Sequence, residues 1–296
     1  MGSEWNKPKT PDWAENVPAL SIKKLEFVQR NPAVFGPKAL PEIRKIIFLD
    51  HAPDMKGTSL NISQMKNGPV SARLTPDKTT LYIGADGGID ATKICDGLFK
   101  GLELIEQIIF EYNSFHTEFS TDFSYMFRDC KNLKALNIAV FRTPKAESFS
   151  GMFSGCESLT SLTLTNFDTG NVHDFRNMFS GCKHLETLDI RNFQIHTAVK
   201  YAKLFDERCN SYLSWAPPGI SGMFSVCESL TSLDLRSFRT GRVIDFSGMF
   251  ENCKNLRKLQ LSDGFVIRRD AKTDRMLTGC EKLDKTGLPI NLYSVL

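Results

Sequence analysis

MFSGCESLTSLTLTNFDTG, residues 152–170, decides the fold, because the phrase returns along the chain with its spacing kept. Counting Met152 as position zero, Cys156 falls at four, Leu159 at seven, Leu162 at ten, Leu164 at twelve and Phe167 at fifteen. The same positions hold Met178, Cys182, Leu185, Leu188, Ile190 and Phe193, and then Met223, Cys227, Leu230, Leu233, Leu235 and Phe238. Met126-Phe127 and Met249-Phe250 open two more units, Met276-Leu277 a late variant, and Leu98-Phe99 an early degenerate one. Three of the intervals are 26 residues, a period that marks an array of stacked repeats.

Leu102 stands in the early unit where later units carry Cys. A position that accepts Leu or Cys is an apolar packing position, so the cysteines read as buried thiols. Positions zero, four and seven share one face of a short helix, and Leu-x-Leu at ten and twelve has the period of a strand. Each unit is therefore expected to run helix, turn, strand. The fold class that follows is α/β, a leucine-rich-repeat-type solenoid with a parallel strand ladder and a small N-terminal β cap. A single unit cannot offset the ordering entropy of its backbone with its own apolar side chains, so stacking must supply the missing burial. About seven units at ~4.8 Å give a rod roughly 34 Å long. The residue before the cysteine position is Gly101, Gly155, Gly181, Gly279, Asp129 or Asn252, which suits a left-handed backbone, and Val226 departs from that pattern.

Outside the repeats, residues 1–20 carry Trp5, Trp13 and three prolines among polar residues and are expected to form a flexible tail. Residues 21–95 hold VSARLT and TTLYIGA around Thr75-Pro76-Asp77-Lys78, which predicts a capping segment with a β hairpin. The solenoid spans 96–283, and 284–296 form a C-terminal cap, with Gly287 and Pro289 breaking the pattern. Between Phe193 and Met223 the period fails. Leu204-Phe205 is followed by Ser211, Ser214 and Ala216 at the leucine positions, which favours an insertion near 197–217 over a degenerate repeat.

Lys plus Arg is 37 against 34 for Asp plus Glu, a net +3 that excludes a nucleic-acid or anionic-membrane binder driven by bulk charge. No apolar run approaches the ~20 residues of a membrane span. Asp168-Thr169-Gly170 matches the aspartic-protease triplet, but that chemistry needs two such carboxylates and only one is present, so the triplet reads as a loop. The eight cysteines contain no Cys-x-x-Cys pair, which argues against zinc, and Cys95 and Cys209, off the ladder, are the candidate reactive pair. His51, His116, His173, His184 and His196 show no ligand spacing, and Asp86-Gly87-Gly88 lacks the context of a phosphate loop. Neither a metal nor a cofactor is expected.

The phrase MFSGCESLTSLTLTNFDTGNV and its echoes resemble the 26-residue leucine-rich repeat of BspA-like bacterial surface proteins. PVSARLTPDKTTLYIGADGGIDATKICDGLF is similar to the short β segment that precedes the repeats in that family, and together the two cover about residues 70–283. The resemblance implies a non-catalytic protein-binding scaffold engaged in adhesion or interaction, on the cell surface or secreted, with a native leader missing from this chain. The alternative is an intracellular interaction protein such as an antitoxin, immunity protein or inhibitor, cytoplasmic if the chain start is native.

In a stacked ladder the side chains between inward leucines point outward. Position eleven then forms the column Asn137, Thr163, Asp189, Asp234 and Gln260, and position thirteen the column Ala139, Thr165, Arg191, Arg236 and Ser262. Thr163, Asp189, Arg191, Asp234 and Arg236 are the candidate contacts for a protein partner on this ribbon. Tyr212 and Trp215 are the candidates on the insertion, because aromatic residues on a protruding loop are costly to expose without use.

Overall fold

The computed structural model describes residues 43–53, 59–61, 70–195, 204–206, 211–213, 219–286 and 288. The expected tail, most of the C-terminal cap and most of the expected insertion lie outside these residues. The described part is built of short strands: β1 (Lys45–Leu49), β2 (Ser59–Asn61), β3 (Ser71–Leu74), β4 (Thr80–Gly84), β5 (Ile89–Asp90), β6 (Gln107–Phe110), β7 (Phe115–His116), β8 (Ala135–Asn137), β9 (Ser161–Thr163), β10 (Thr187–Asp189), β11 (Leu204–Asp206), β12 (Ser211–Leu213), β13 (Ser232–Asp234) and β14 (Lys258–Gln260).

The largest sheet has the order β2-β3-β4-β1-β6-β8. β1 reads KIIFL and is buried at four of its five residues, as a strand sandwiched between parallel neighbours should be. It pairs in parallel with β4 on one side and with β6 on the other, so Ile46 lies between Leu81 and Ile108. β3 and β4 form an antiparallel hairpin closed at Thr75–Thr80, with Lys78 in left-handed backbone. Beyond β6 the pairings β6–β8, β9–β10 and β13–β14 are parallel, and Leu162 lies opposite Leu188 as Leu233 lies opposite Leu259.

The expected helix is absent: no α-helix occurs among the described residues. The α/β description is thus corrected to a strand-rich one, and the hydrogen bonds give the reason. In the Met126 unit, the amides of Phe123, Tyr125, Phe127 and Asp129 donate to the carbonyls of Ser148, Ser150, Met152 and Ser154 in the next unit, at 2.8 to 3.0 Å. Only the alternate amides of Met126, Arg128 and Cys130 bond back within the segment. A helix keeps its amides inside itself and leaves none to join neighbours.

The device that turns every second amide outward is a left-handed residue at two points per unit. One precedes the Met and the other precedes the cysteine position: Tyr125 and Asp129, Gly151 and Gly155, Asn177 and Gly181, Gly222 and Val226, Gly248 and Asn252, Arg275 and Gly279. Val226, the departure in residue type, adopts the same backbone, with φ 60°.

Two internal columns fix the register. Phe99, Phe127, Phe153, Phe179, Phe224 and Phe250 stack with ring centroids 5.1 to 5.7 Å apart and planes within 9° of parallel. Beside them, Cys130, Cys156, Cys182, Cys227, Cys253 and Cys280 are buried free thiols. Each donates from Sγ to the carbonyl of the stacked Phe in the preceding unit, at 3.0 to 3.2 Å. The thiol is therefore both an apolar filler and a donor, which Leu102 cannot be.

Cys227 reaches a partner 48 residues back, Phe179, whereas Cys182 reaches one 29 residues back. The Met223 unit accordingly lies directly on the Met178 unit, confirmed by the bond from the Phe179 amide to the Met223 carbonyl. In the chain between them, β11 and β12 pair as an antiparallel hairpin.

Candidate functional site

The outward face of the ladder is set by strands of three residues whose centre points inward. Leu136, Leu162 and Leu233 are buried at the centres of β8, β9 and β13, and their neighbours on either side are exposed or half-exposed. Asn137, Thr163, Asp189, Asp234 and Gln260 thus share the outer face, as their sequence positions require.

Asp189 and Arg191 sit two residues apart, on the same side of the chain, and close a two-point fork. Arg191 donates from Nε and Nη2 to the two carboxylate oxygens of Asp189, both at 2.9 Å. Arg236 repeats this on Asp234 at 3.0 and 2.7 Å. In each fork the carboxylate lies low and the guanidinium high: the Asp189 and Asp234 side chains are 30% and 19% exposed, those of Arg191 and Arg236 67% and 62%. The hydrogen bonds from the guanidinium hold both carboxyls below the usual range, and the same bonds raise both arginines. All four groups are therefore charged across the neutral pH range.

Two further cations border this patch, Arg239 in the loop after β13 and Lys258 on the outward column at position nine. Arg239 folds back so that Nη1 donates to the carbonyls of Arg236 and Phe238 and to Ser262 Oγ. Lys258 starts β14 opposite Ser232 and is exposed. A charge column at position five escaped the sequence reading, although it is plain once the units are aligned: Glu103, Lys131, Glu157, Lys183, Glu228, Lys254, Glu281. Within it Lys131 bonds Glu103 at 2.7 Å, Lys183 bonds Glu157 at 2.9 Å and Lys254 bonds Glu228 at 3.1 Å. Signs alternate from unit to unit, which avoids like charges at strand spacing.

Of the two insertion candidates, Tyr212 belongs to β12, paired opposite Phe205, and Trp215 lies outside the described residues. The Asp168-Thr169-Gly170 loop has an internal use. Thr143, its counterpart one unit earlier, is buried and donates from Oγ1 to the Asp168 carbonyl while accepting from the Asp168 amide, at 3.0 and 2.8 Å. Thr117 clips Arg142 and Thr240 clips Val266 in the same way.

Cys95 does not bear out the expectation of a reactive thiol. It is fully buried, hydrogen-bonded to Thr92 and Ser120, and burial pushes it up to about 11; Cys209 lies outside the described residues. His116 bridges Asp90 and Asn113, and His184 contacts the Glu157 carbonyl. Among the described residues no group of His, Cys, Asp or Glu is arranged to hold a metal ion, and no helix is long and apolar enough to cross a membrane.

The family described as Mycoplasma protein of unknown function, DUF285, matches residues 94–215 and 218–288, well over half of the chain. The chain belongs to this family. The matched residues of this DUF285 protein take in the stacked units and the whole outward ribbon. Among solved structures, a leucine-rich repeat protein from Bacteroides ovatus ATCC 8483 is similar at 16% identity and a TM-score of 0.32, over 65% of this chain and 44% of that one. The DUF285 chain thus spans less than half the length of that protein. No curated protein matches it.

Proposed function

We propose that this DUF285 protein is a non-catalytic protein-binding scaffold, a leucine-rich solenoid of the BspA-like kind acting in adhesion or interaction at the cell surface or outside the cell. The observation that carries the reading is the division of labour between columns. The Met, Cys, Leu and Phe positions carry mostly one apolar residue type and are buried or partly buried, while the outward positions of β8, β9, β10, β13 and β14 are small, polar or charged and hold several residue types. Apart from the fork contacts, these outward side chains do little to hold the fold together, so their variety is free to match a partner. An ordered sheet face also binds at lower entropic cost than a loop.

Affinity capture from the native environment, with the wild type and with Asp189→Lys combined with Asp234→Lys, tests this. Both proteins are first compared by circular dichroism. A protein captured by the wild type and lost with the folded variant supports the ribbon as the contact surface. Equal capture by both removes it.

A further inference from the structure

The charge column at position five and the outward ribbon follow opposite rules. At position five every neighbour has the opposite sign. On the ribbon, where the Met223 unit lies directly on the Met178 unit, Asp234 lies next to Asp189 and Arg236 next to Arg191. The like neighbours are felt beside the unlike ones: Asp234 acts on Asp189 against ionisation and Arg236 acts on Arg191 in the same sense, while Asp234 favours the Arg191 cation more strongly and Arg191 favours the Asp234 carboxylate. The chain alternates charge through all seven units on one column, yet sets two guanidiniums side by side on another. Such local conflicts concentrate where a surface is built for a ligand.

The geometry points to an acidic protein segment as the ligand: we infer that Arg191 and Arg236 together receive adjacent carboxylates of a partner lying along the ribbon. This inference rests on the protein-binding reading above. Each guanidinium has its Nε and one Nη tied to the aspartate beneath it, which fixes the plane, and both arginine side chains remain largely exposed. The order needed for a two-point contact is thus present before the partner arrives. A carboxylate placed across the pair offsets the repulsion between the two cations. Charge complementarity extends to the rim, where Arg239 has carbonyl and hydroxyl partners and exposed Lys258 begins the next strand. The outward residues of the earlier strands, Ala135, Asn137, Ser161 and Thr163, are small and uncharged. The acidic part of the partner is therefore directed to the later half of the ribbon.

The test uses three labelled twelve-residue peptides, alternating Ser-Glu, Ser-Gln and Ser-Lys, titrated onto the full chain at low salt. Affinity is read by fluorescence anisotropy and location by the arginine Nε–H resonances. The expected result is Ser-Glu binding about tenfold or more tighter than Ser-Gln, with shifts at Arg191 and Arg236. Arg191→Gln combined with Arg236→Gln is expected to remove that advantage, and Arg191→Lys with Arg236→Lys to retain only part of it. Folding of both variants is checked by circular dichroism and thermal melts, where loss of the forks is expected to lower the midpoint slightly while the transition stays cooperative.

Equal affinity for Ser-Glu and Ser-Gln, or a Ser-Glu affinity unmoved by the glutamine variant, overturns the assignment. Binding of Ser-Lys or Ser-Gln at the ribbon as tightly as Ser-Glu, or more tightly, overturns it while leaving the scaffold reading in place. If none of the three perturbs an outward residue, and native capture is also unaffected by the ribbon variants, both readings fall.

Discussion

Gly181→Ala and Gly241→Ala form a matched pair that isolates the cost of the left-handed backbone on which the stack depends. Gly181 has φ 77°, and a methyl group added there would meet nothing closer than 3.5 Å, the Gly155 backbone. Gly241 has no positive φ, and an added methyl would meet nothing within 4 Å. Both substitutions restrict the unfolded chain alike, which by itself stabilises by about 0.4–1 kcal/mol. Only Gly181→Ala forces an L-residue into left-handed space, at about 1–2 kcal/mol. Gly241→Ala should therefore be slightly more stable than the wild type, and Gly181→Ala less stable than Gly241→Ala by about 1–2 kcal/mol. For a chain of this size that gap corresponds to about 2–3 °C in melting midpoint. Urea and thermal denaturation followed by circular dichroism read it directly. Two variants of equal stability would refute the argument that left-handed residues turn the amides between units.

Three further outcomes follow from the same structure. Burial holds Cys95 at about 11 and Cys130 and Cys182 at about 12, above the free thiol near 8.5. The unfolded chain therefore loses these protons first, and the stability they contribute is complete below about pH 8.5 and declines as pH rises towards the folded values. The urea midpoint should fall above about pH 9, less steeply in Cys130→Ala with Cys182→Ala, and identical slopes would sink the idea. Thr143→Val removes both the donor and the acceptor that serve Asp168 and should cost about 1–3 kcal/mol, with faster hydrogen exchange at the Asp168 amide; unchanged exchange would count against the clip. Glu157→Lys sets a cation between Lys131 and Lys183 and should cost about 1 kcal/mol or less at low salt, shrinking in 1 M NaCl. A cost independent of salt would mean that something other than charge is responsible.

The inward positions could be read from sequence because one side chain type recurs at each of them. Met152, Cys156, Leu159, Leu162 and Leu164 repeat at fixed spacing, and each is buried. The helix was misread because positions zero, four and seven are also what a run of tight turns presents to a core. The signal against it lay one residue before the Met, where Gly97, Gly151, Asn177, Gly222 and Gly248 recur. With the glycines before the cysteines, that makes two left-handed residues four apart, a spacing no helix accommodates. Alternation placed Asp189, Arg191, Asp234 and Arg236 on the outer face, but the forks depend on side-chain reach that periodicity does not encode. Nor does periodicity encode that the Arg239 guanidinium folds back onto the ribbon from the following loop.

The alternation at position five also bears on how such an array can lengthen or shorten. Its period is two units, so losing a single unit, for example the one carrying Glu157, would leave Lys131 facing Lys183. Loss or duplication of two consecutive units would keep every sign opposed. Parity thus enters the inheritance of these arrays: even steps in copy number are electrostatically silent, and odd steps leave a mismatched pair at the junction for later substitutions to repair.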